Sequence, residues 1–137
     1  MTWKKTALFV AIFVLVLGGP FFLISTPMMD VYQGWIDQEP QTDFHKGLQL
    51  WMGGICYKTM RSDQSVNMYR KYLEYYPTSE DRPFAMLRYA QSLDDEDRNA
   101  EAIEAYEQLI NEYPTHEYAQ DAQEGIRSIK YVKAGTK

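Results

Sequence analysis

The sequence predicts an all-α protein: one N-terminal transmembrane helix followed by a short array of helical hairpins. Three observations carry that reading. An uncharged apolar run fills Ala7 to Ile24. A stretch of sequence further on recurs at a fixed distance. Within it, apolar residues return every three or four positions, the period of one helix face.

The apolar run comes first. It is about the ~18 residues at which a membrane span becomes the default reading. Trp3, Lys4 and Lys5 precede it, and Asp30, Asp37, Glu39 and Asp43 follow, with no Lys or Arg until Lys46. Basic flanks stay cytoplasmic, so residues 1–24 read as a cytoplasmic stub and membrane helix. The rest of the chain is then expected on the periplasmic or extracellular side of the inner (plasma) membrane. Trp3 on one side, and Tyr32 and Trp35 on the other, suit the two interfaces. A cleaved secretory signal has a shorter apolar core of ~7–15 residues and a small-x-small cleavage site. Ser25-Thr26-Pro27-Met28-Met29 offers no clear site of that kind, so an uncleaved anchor in contact with lipid through residues 7–24 is expected. Gly18-Gly19-Pro20 should kink or loosen it. Ala7, Ala11 and Gly18 fall near one helical face, where small residues let another membrane helix approach. Small residues are also common in such helices without that role.

Residues 25–42 contain Pro27, Gly34 and Pro40 and read as a juxtamembrane linker, with a short helix over Met28–Asp37. The helical domain occupies 43–137. Its basis is the repeat: Tyr69–Glu80 reads YRKYLEYYPTSE and Tyr106–Glu117 reads YEQLINEYPTHE. The offset is constant, since 106 − 69 and 114 − 77 both give 37. Carried backward, it pairs Leu50 with Leu87, Gly53 with Ala90, Ser65 with Ala102 and Val66 with Ile103. Fixed-period self-similarity signals a repeat architecture.

Each unit reads as two helices. In the second, Phe84–Leu93 and Ala100–Tyr113 flank the polar turn Asp94–Asn99. Ile103, Tyr106, Leu109, Ile110 and Tyr113 make one apolar stripe. Pro114 ends the helix, because the residue before proline is pushed out of the helical region. Pro83 suits the first turn of the helix that follows it. In the first unit, helices over Phe44–Met60 and Gln64–Tyr76 flank Arg61-Ser62-Asp63. A closing helix, Tyr118 to about Val132, carries Ala119, Ala122, Ile126 and Ile129 on its apolar face.

These residues resemble the tetratricopeptide repeat. Leu87, Ala90 and Leu93, then Ala102 and Tyr106, with Pro114 as the late proline, fall on the family's packing positions. Gly53, Tyr69 and Pro77 match in the first unit. Tyr72 departs, where the family usually has a small residue. The repeats run about 46–79 and 83–116. Their 37-residue spacing exceeds the family's ~34, which fits a longer loop at Thr78–Arg82. Two units are fewer than the ~3 a stable array normally needs, so the closing helix, the linker or a partner must cover the open ends.

Catalytic chemistry finds no foothold. His45, Cys56 and His116 are scattered, without the i, i+3 or i, i+4 partner of a helical metal site. No phosphate loop, Gly-x-Ser-x-Gly or His-Glu-x-x-His occurs. No cofactor, metal or small-molecule substrate is therefore expected. A net charge of −5 opposes nucleic-acid binding. From Asp94 to Glu124 eleven acidic residues face Arg98 alone, and past Glu124 basic residues run unopposed. A solvated face and a helix end matched to its dipole account for most of this. An acidic docking patch is the functional alternative.

The resemblance implies binding through the concave face lined by each repeat's first helix. By register Trp51, Lys58, Arg88, Gln91 and Asp95 fall near it. The Lys and Asn of the family's chaperone-binding carboxylate clamp are missing, so that activity is not carried over. The expected function is a non-enzymatic, membrane-anchored protein-interaction module. It would be an accessory or scaffold subunit of a membrane complex, with other subunits of that complex as partners. The alternative is a chaperone-like factor accompanying protein export or envelope assembly.

Overall fold

A computed structural model describes residues 2–133 and 135, with the side chains of residues 2–6, 10, 13–15, 17 and 133 left aside. Among the described residues every regular element is helical. They are α1 (Thr2–Leu23), α2 (Thr26–Gln38), α3 (Asp43–Lys58), α4 (Ser62–Tyr75), α5 (Arg82–Asp95), α6 (Asn99–Glu112) and α7 (Glu117–Ser128). A π-helical turn, Ile129–Lys133, continues α7. The chain divides into two compact units, one ending at Gln38 and one beginning at Glu39.

In the first unit, α1 contains Pro20 and runs on through it, so the expected loosening at Gly18-Gly19-Pro20 does not break the helix. Ala7, Ala11 and Gly18 are exposed on it. Among the described residues no helix is long and apolar enough to cross a membrane. The expected span over residues 7–24 thus gains no support from them. Its side chains at 10, 13–15 and 17 lie outside the described set. Ser25 closes α1, its hydroxyl donating to the Phe22 carbonyl at 2.6 Å. The segment read as a linker is mostly helix α2. Its apolar residues divide between two faces: Met29 and Ile36 are buried, while Val31 and Trp35 are exposed.

The second unit is built from two hairpins and a closing helix. Its neighbouring pairs are α3 with α4, α4 with α5, α5 with α6, and α6 with α7. The 37-residue offset holds down to single hydrogen bonds. At the first hairpin turn the Arg61 amide donates to the Cys56 carbonyl, and at the second Arg98 donates to Leu93. Met60 donates to Tyr57, and Asp97 to Asp94. These are the paired bonds of a Schellman ending, which needs a left-handed residue after the cap. Met60 (φ 55°) and Asp97 (φ 57°) supply it. This is why α3 stops at Lys58, short of the expected Met60.

The second helix of each repeat ends alike. Tyr76 (φ −126°, ψ 62°) and Tyr113 (φ −133°, ψ 58°) leave the helical region just ahead of Pro77 and Pro114. Two residues past each proline, the Ser79 hydroxyl accepts from the Asp81 amide and the His116 ring from Tyr118. His116 thereby caps α7, and Pro83 sits in the first turn of α5. Thr42 caps α3 by accepting from His45 N at 3.1 Å.

The cores differ between repeats. The larger one joins Leu87, Ala90 and Leu93 of α5, Ala102, Tyr106 and Leu109 of α6, and Ala122 of α7, with Val66 of α4 added. Residues of Leu size each contribute about 1.5–3 kcal/mol when fully buried. The other is aromatic: Tyr69, Tyr72 and Tyr76 around Ala85. Tyr72, the departure from the family pattern, is fully buried. Its ring lies 5.0 Å from that of Tyr76, and its hydroxyl shares a 2.7 Å hydrogen bond with Ser79.

Candidate partner-binding groove

The first helices of the two repeats, α3 and α5, set the face on which the register residues fall. Of the five residues that register places there, Trp51, Lys58 and Asp95 are exposed, and Arg88 and Gln91 are half-buried. Arg88 is held tightly. Its guanidinium lies 4.5 Å from the ring centre of Tyr57 on α3 and 5.3 Å from that of Phe84 on α5. It also donates to Gln91 Oε1 at 2.8 Å. A guanidinium over aromatic faces is attracted by the ring quadrupole. Arg88 therefore ties α3 to α5, and the groove wall there is an Arg–aromatic–Gln assembly.

Beyond Gln91 an open recess of about 550 Å³ is lined by Tyr57, by Gln91, Asp94 and Asp95 of α5, by Tyr106 of α6, and by Asp121, Glu124, Gly125 and Ser128 of α7. Tyr106 is only 2% exposed. Its ring reaches the recess because Gly125 stands opposite. A Cβ built on Gly125 would meet Tyr106 Cζ at 2.5 Å, so only glycine permits this approach. Gly53 does the same for Tyr69, whose Cζ would lie 2.9 Å from an added Cβ. Burial pushes the Tyr106 hydroxyl above its ordinary range, and the charges of Asp94, then Tyr57 and Asp95, act in the same direction. Burial likewise pushes Tyr69 up to about 12, against a lowering by Arg88. Both hydroxyls are neutral at physiological pH.

Cys56 is fully buried, and burial raises its thiol pKa, which keeps it protonated and inert. Among the described residues no three His, Cys, Asp or Glu side chains converge on a common point. His45 is tied to the Glu39 carbonyl through Nδ1 at 2.6 Å, and His116 serves as the α7 cap.

Three features of the fold carry no signal in the sequence pattern. Ser65 and Ser92, both fully buried, share a 2.7 Å hydrogen bond between α4 and α5. Ser92 also donates to the Arg88 carbonyl, so Ser65 is the donor of the pair. Gln49 is fully buried and donates from Nε2 to the Met68 carbonyl at 2.9 Å. Gly125 is the third. A repeat comparison hides each of them, because Ser65 has alanine and Gln49 has methionine as its counterpart and Gly125 lies past the second copy.

The sequence matches the tetratricopeptide repeat over residues 48–79 and again over 84–116. Those intervals are the α3–α4 and α5–α6 hairpins, with most of α3 included in the first. The match and the two helical hairpins together support a pair of tetratricopeptide repeats, followed by an additional helix, α7. Comparison with curated proteins finds no match.

Proposed function

We propose that this chain is a non-catalytic, membrane-anchored protein-interaction module, an accessory or scaffold subunit of a larger membrane complex. The observation that carries it is the pair of tetratricopeptide repeats, with the exposed Trp51, Lys58 and Asp95 on the first helices. Short helical arrays use such surfaces for binding other proteins. The anchor rests on the uncharged run Ala7–Ile24 and on Lys4 and Lys5 ahead of it. With that orientation the repeat domain stands on the non-cytoplasmic face and meets the outer parts of neighbouring subunits.

A photo-cross-linking residue in place of the exposed Lys58 tests the groove in native membranes. Adducts with one or two discrete polypeptides are the expected outcome. A ladder of many unrelated chains would favour transient, chaperone-like contact during export. No adduct at Lys58, with Trp51 also silent, would remove the groove as the contact surface.

A further inference from the structure

Helix α2 divides its circumference into three sectors. Met29, Gln33 and Ile36 recur at three- and four-residue spacing and are buried. At ~100° of turn per residue, Met28, Val31 and Tyr32 fall within about 60° of Trp35 and make a second, apolar sector with it. Val31 is 44% and Trp35 51% exposed, and Met28 and Tyr32 are half-buried. The Tyr32 and Trp35 rings lie 5.7 Å apart, so the two aromatics share one face. The acidic residues stand away from it. Asp30 and Asp37, both exposed, fall about 150° round the helix from Trp35. They are the only charges on α2. An apolar sector open to solvent, with every charge of the helix on the far side, is the pattern of a helix lying between lipid and water.

The place of α2 in the chain favours lipid over other apolar partners. Helix α1 ends at Leu23 and α2 begins at Thr26. Phe21, Phe22 and Leu23, at the end of α1, are themselves at least half exposed. At ~3.5 Å per residue the break between the helices spans no more than about 11 Å, so Thr26 stays close to the end of the apolar run. Standing along the bilayer normal, α2 would carry Trp35 about 13 Å further into water, at ~1.5 Å per residue. Lying in the plane of the surface keeps Val31 and Trp35 at headgroup depth, where amphipathic rings prefer to sit.

We propose that α2 lies along the membrane surface where the anchor emerges, with Met28, Val31, Tyr32 and Trp35 seated among the lipid headgroups and Asp30 and Asp37 turned to water. The proposal rests on the reading of residues 7–24 as a membrane anchor. It adds a second lipid contact, one that sets the direction in which the chain leaves the bilayer. The helix carries no Lys or Arg, so attraction to anionic lipid does not hold it there. Apolar burial does, and attachment to the anchor supplies the local concentration that a weak contact of this kind needs.

The test uses the full chain reconstituted in phosphatidylcholine vesicles. Cys56→Ala removes the one native thiol. On that background Ile12→Cys, Asp30→Cys, Val31→Cys, Trp35→Cys and Asp37→Cys each carry a single nitroxide, in variants whose helical spectrum matches the wild type. Collision with oxygen reports lipid, and collision with a water-soluble nickel chelate reports water. Labels replacing Val31 and Trp35 should favour oxygen, and those replacing Asp30 and Asp37 should favour the chelate. Exchanging part of the lipid for phosphatidylglycerol should leave that division unchanged. A preference at Val31 and Trp35 that arises only with phosphatidylglycerol would mean electrostatic adsorption and overturn the proposal. A label at Ile12 held in lipid, with Val31 and Trp35 as open to the chelate as Asp30 and Asp37, would overturn it and leave the anchor standing. Shielding of Val31 and Trp35 from both reagents would mean that a protein surface, such as a second copy of the chain, covers this face, and would overturn it as well. A label at Ile12 open to the chelate would remove the membrane anchor itself, and the proposal with it.

Discussion

Met60 adopts a left-handed backbone conformation that disfavours L-residues by about 1–2 kcal/mol. Its side chain is 89% exposed, so no packing compensates. Asp97, its counterpart in the second repeat, belongs to a residue type that tolerates this region better. Met60→Gly should therefore raise the stability of the repeat domain by about 0.5–1 kcal/mol, after allowing for the greater freedom of glycine in the unfolded chain. Urea unfolding followed by circular dichroism would read it, and a lower midpoint in the variant would contradict the assignment. This position also marks a limit of sequence reading. Asp94–Asn99 announces a turn by its polarity, whereas methionine gives no such signal. Only the repeat offset, carried through Asp97, places a turn residue at 60. Ser65, Ser92 and Gln49 were illegible for a different reason. A buried polar group is defined by the partner it finds, and those partners sit on neighbouring helices.

Single elements were the most legible scale. Prolines at 77, 83 and 114, apolar stripes and the constant offset place all four repeat helices within two or three residues of where they lie. The differences lie at the ends: Schellman geometry shortens α3, and backbone bonds from Ser65 to the Arg61 carbonyl and from Ala85 to the Asp81 carbonyl start α4 and α5 earlier than the apolar pattern does. Helix α7 shows what periodicity misses. Its small and apolar face is the one it buries, with Ala119, Ala122 and Ile129 buried and Ile126 half-buried, yet the contact that fixes its approach is Gly125 against Tyr106. Gly125→Ala should destabilise the domain by about 1–3 kcal/mol by overpacking. Combined with Tyr106→Leu, which removes the far end of the ring, the two changes should cost less together than the sum of their separate effects. Strict additivity in a thermal or urea series would mean that the Gly125–Tyr106 contact does not set the α6–α7 packing. The acidic recess belongs to this scale too. Its charges are visible in the sequence as an acidic stretch with Arg98 as its one arginine, but their division between α5 and α7 requires the fold.

At the scale of the whole molecule, two repeats and one closing helix make a small array. Helix α7 covers one end of it, with Ala122 and Ile129 in the same core as α5 and α6. The groove residues predicted from register prove unequal in kind. Lys58 and Asp95 project into solvent, while Arg88 is fastened between Tyr57 and Phe84 and shapes the wall. Register on a repeat locates a face but does not reveal which of its residues are held by neighbours across it. In the proposed function this array serves a partner while the apolar N-terminal run holds it in a membrane. The most direct measurement is native-size analysis with mass spectrometry after gentle detergent extraction of carbonate-washed native membranes. The chain should stay with the membrane and migrate in a defined large complex at fixed stoichiometry. A chain washed off by carbonate, or one extracted as a free monomer, would contradict it.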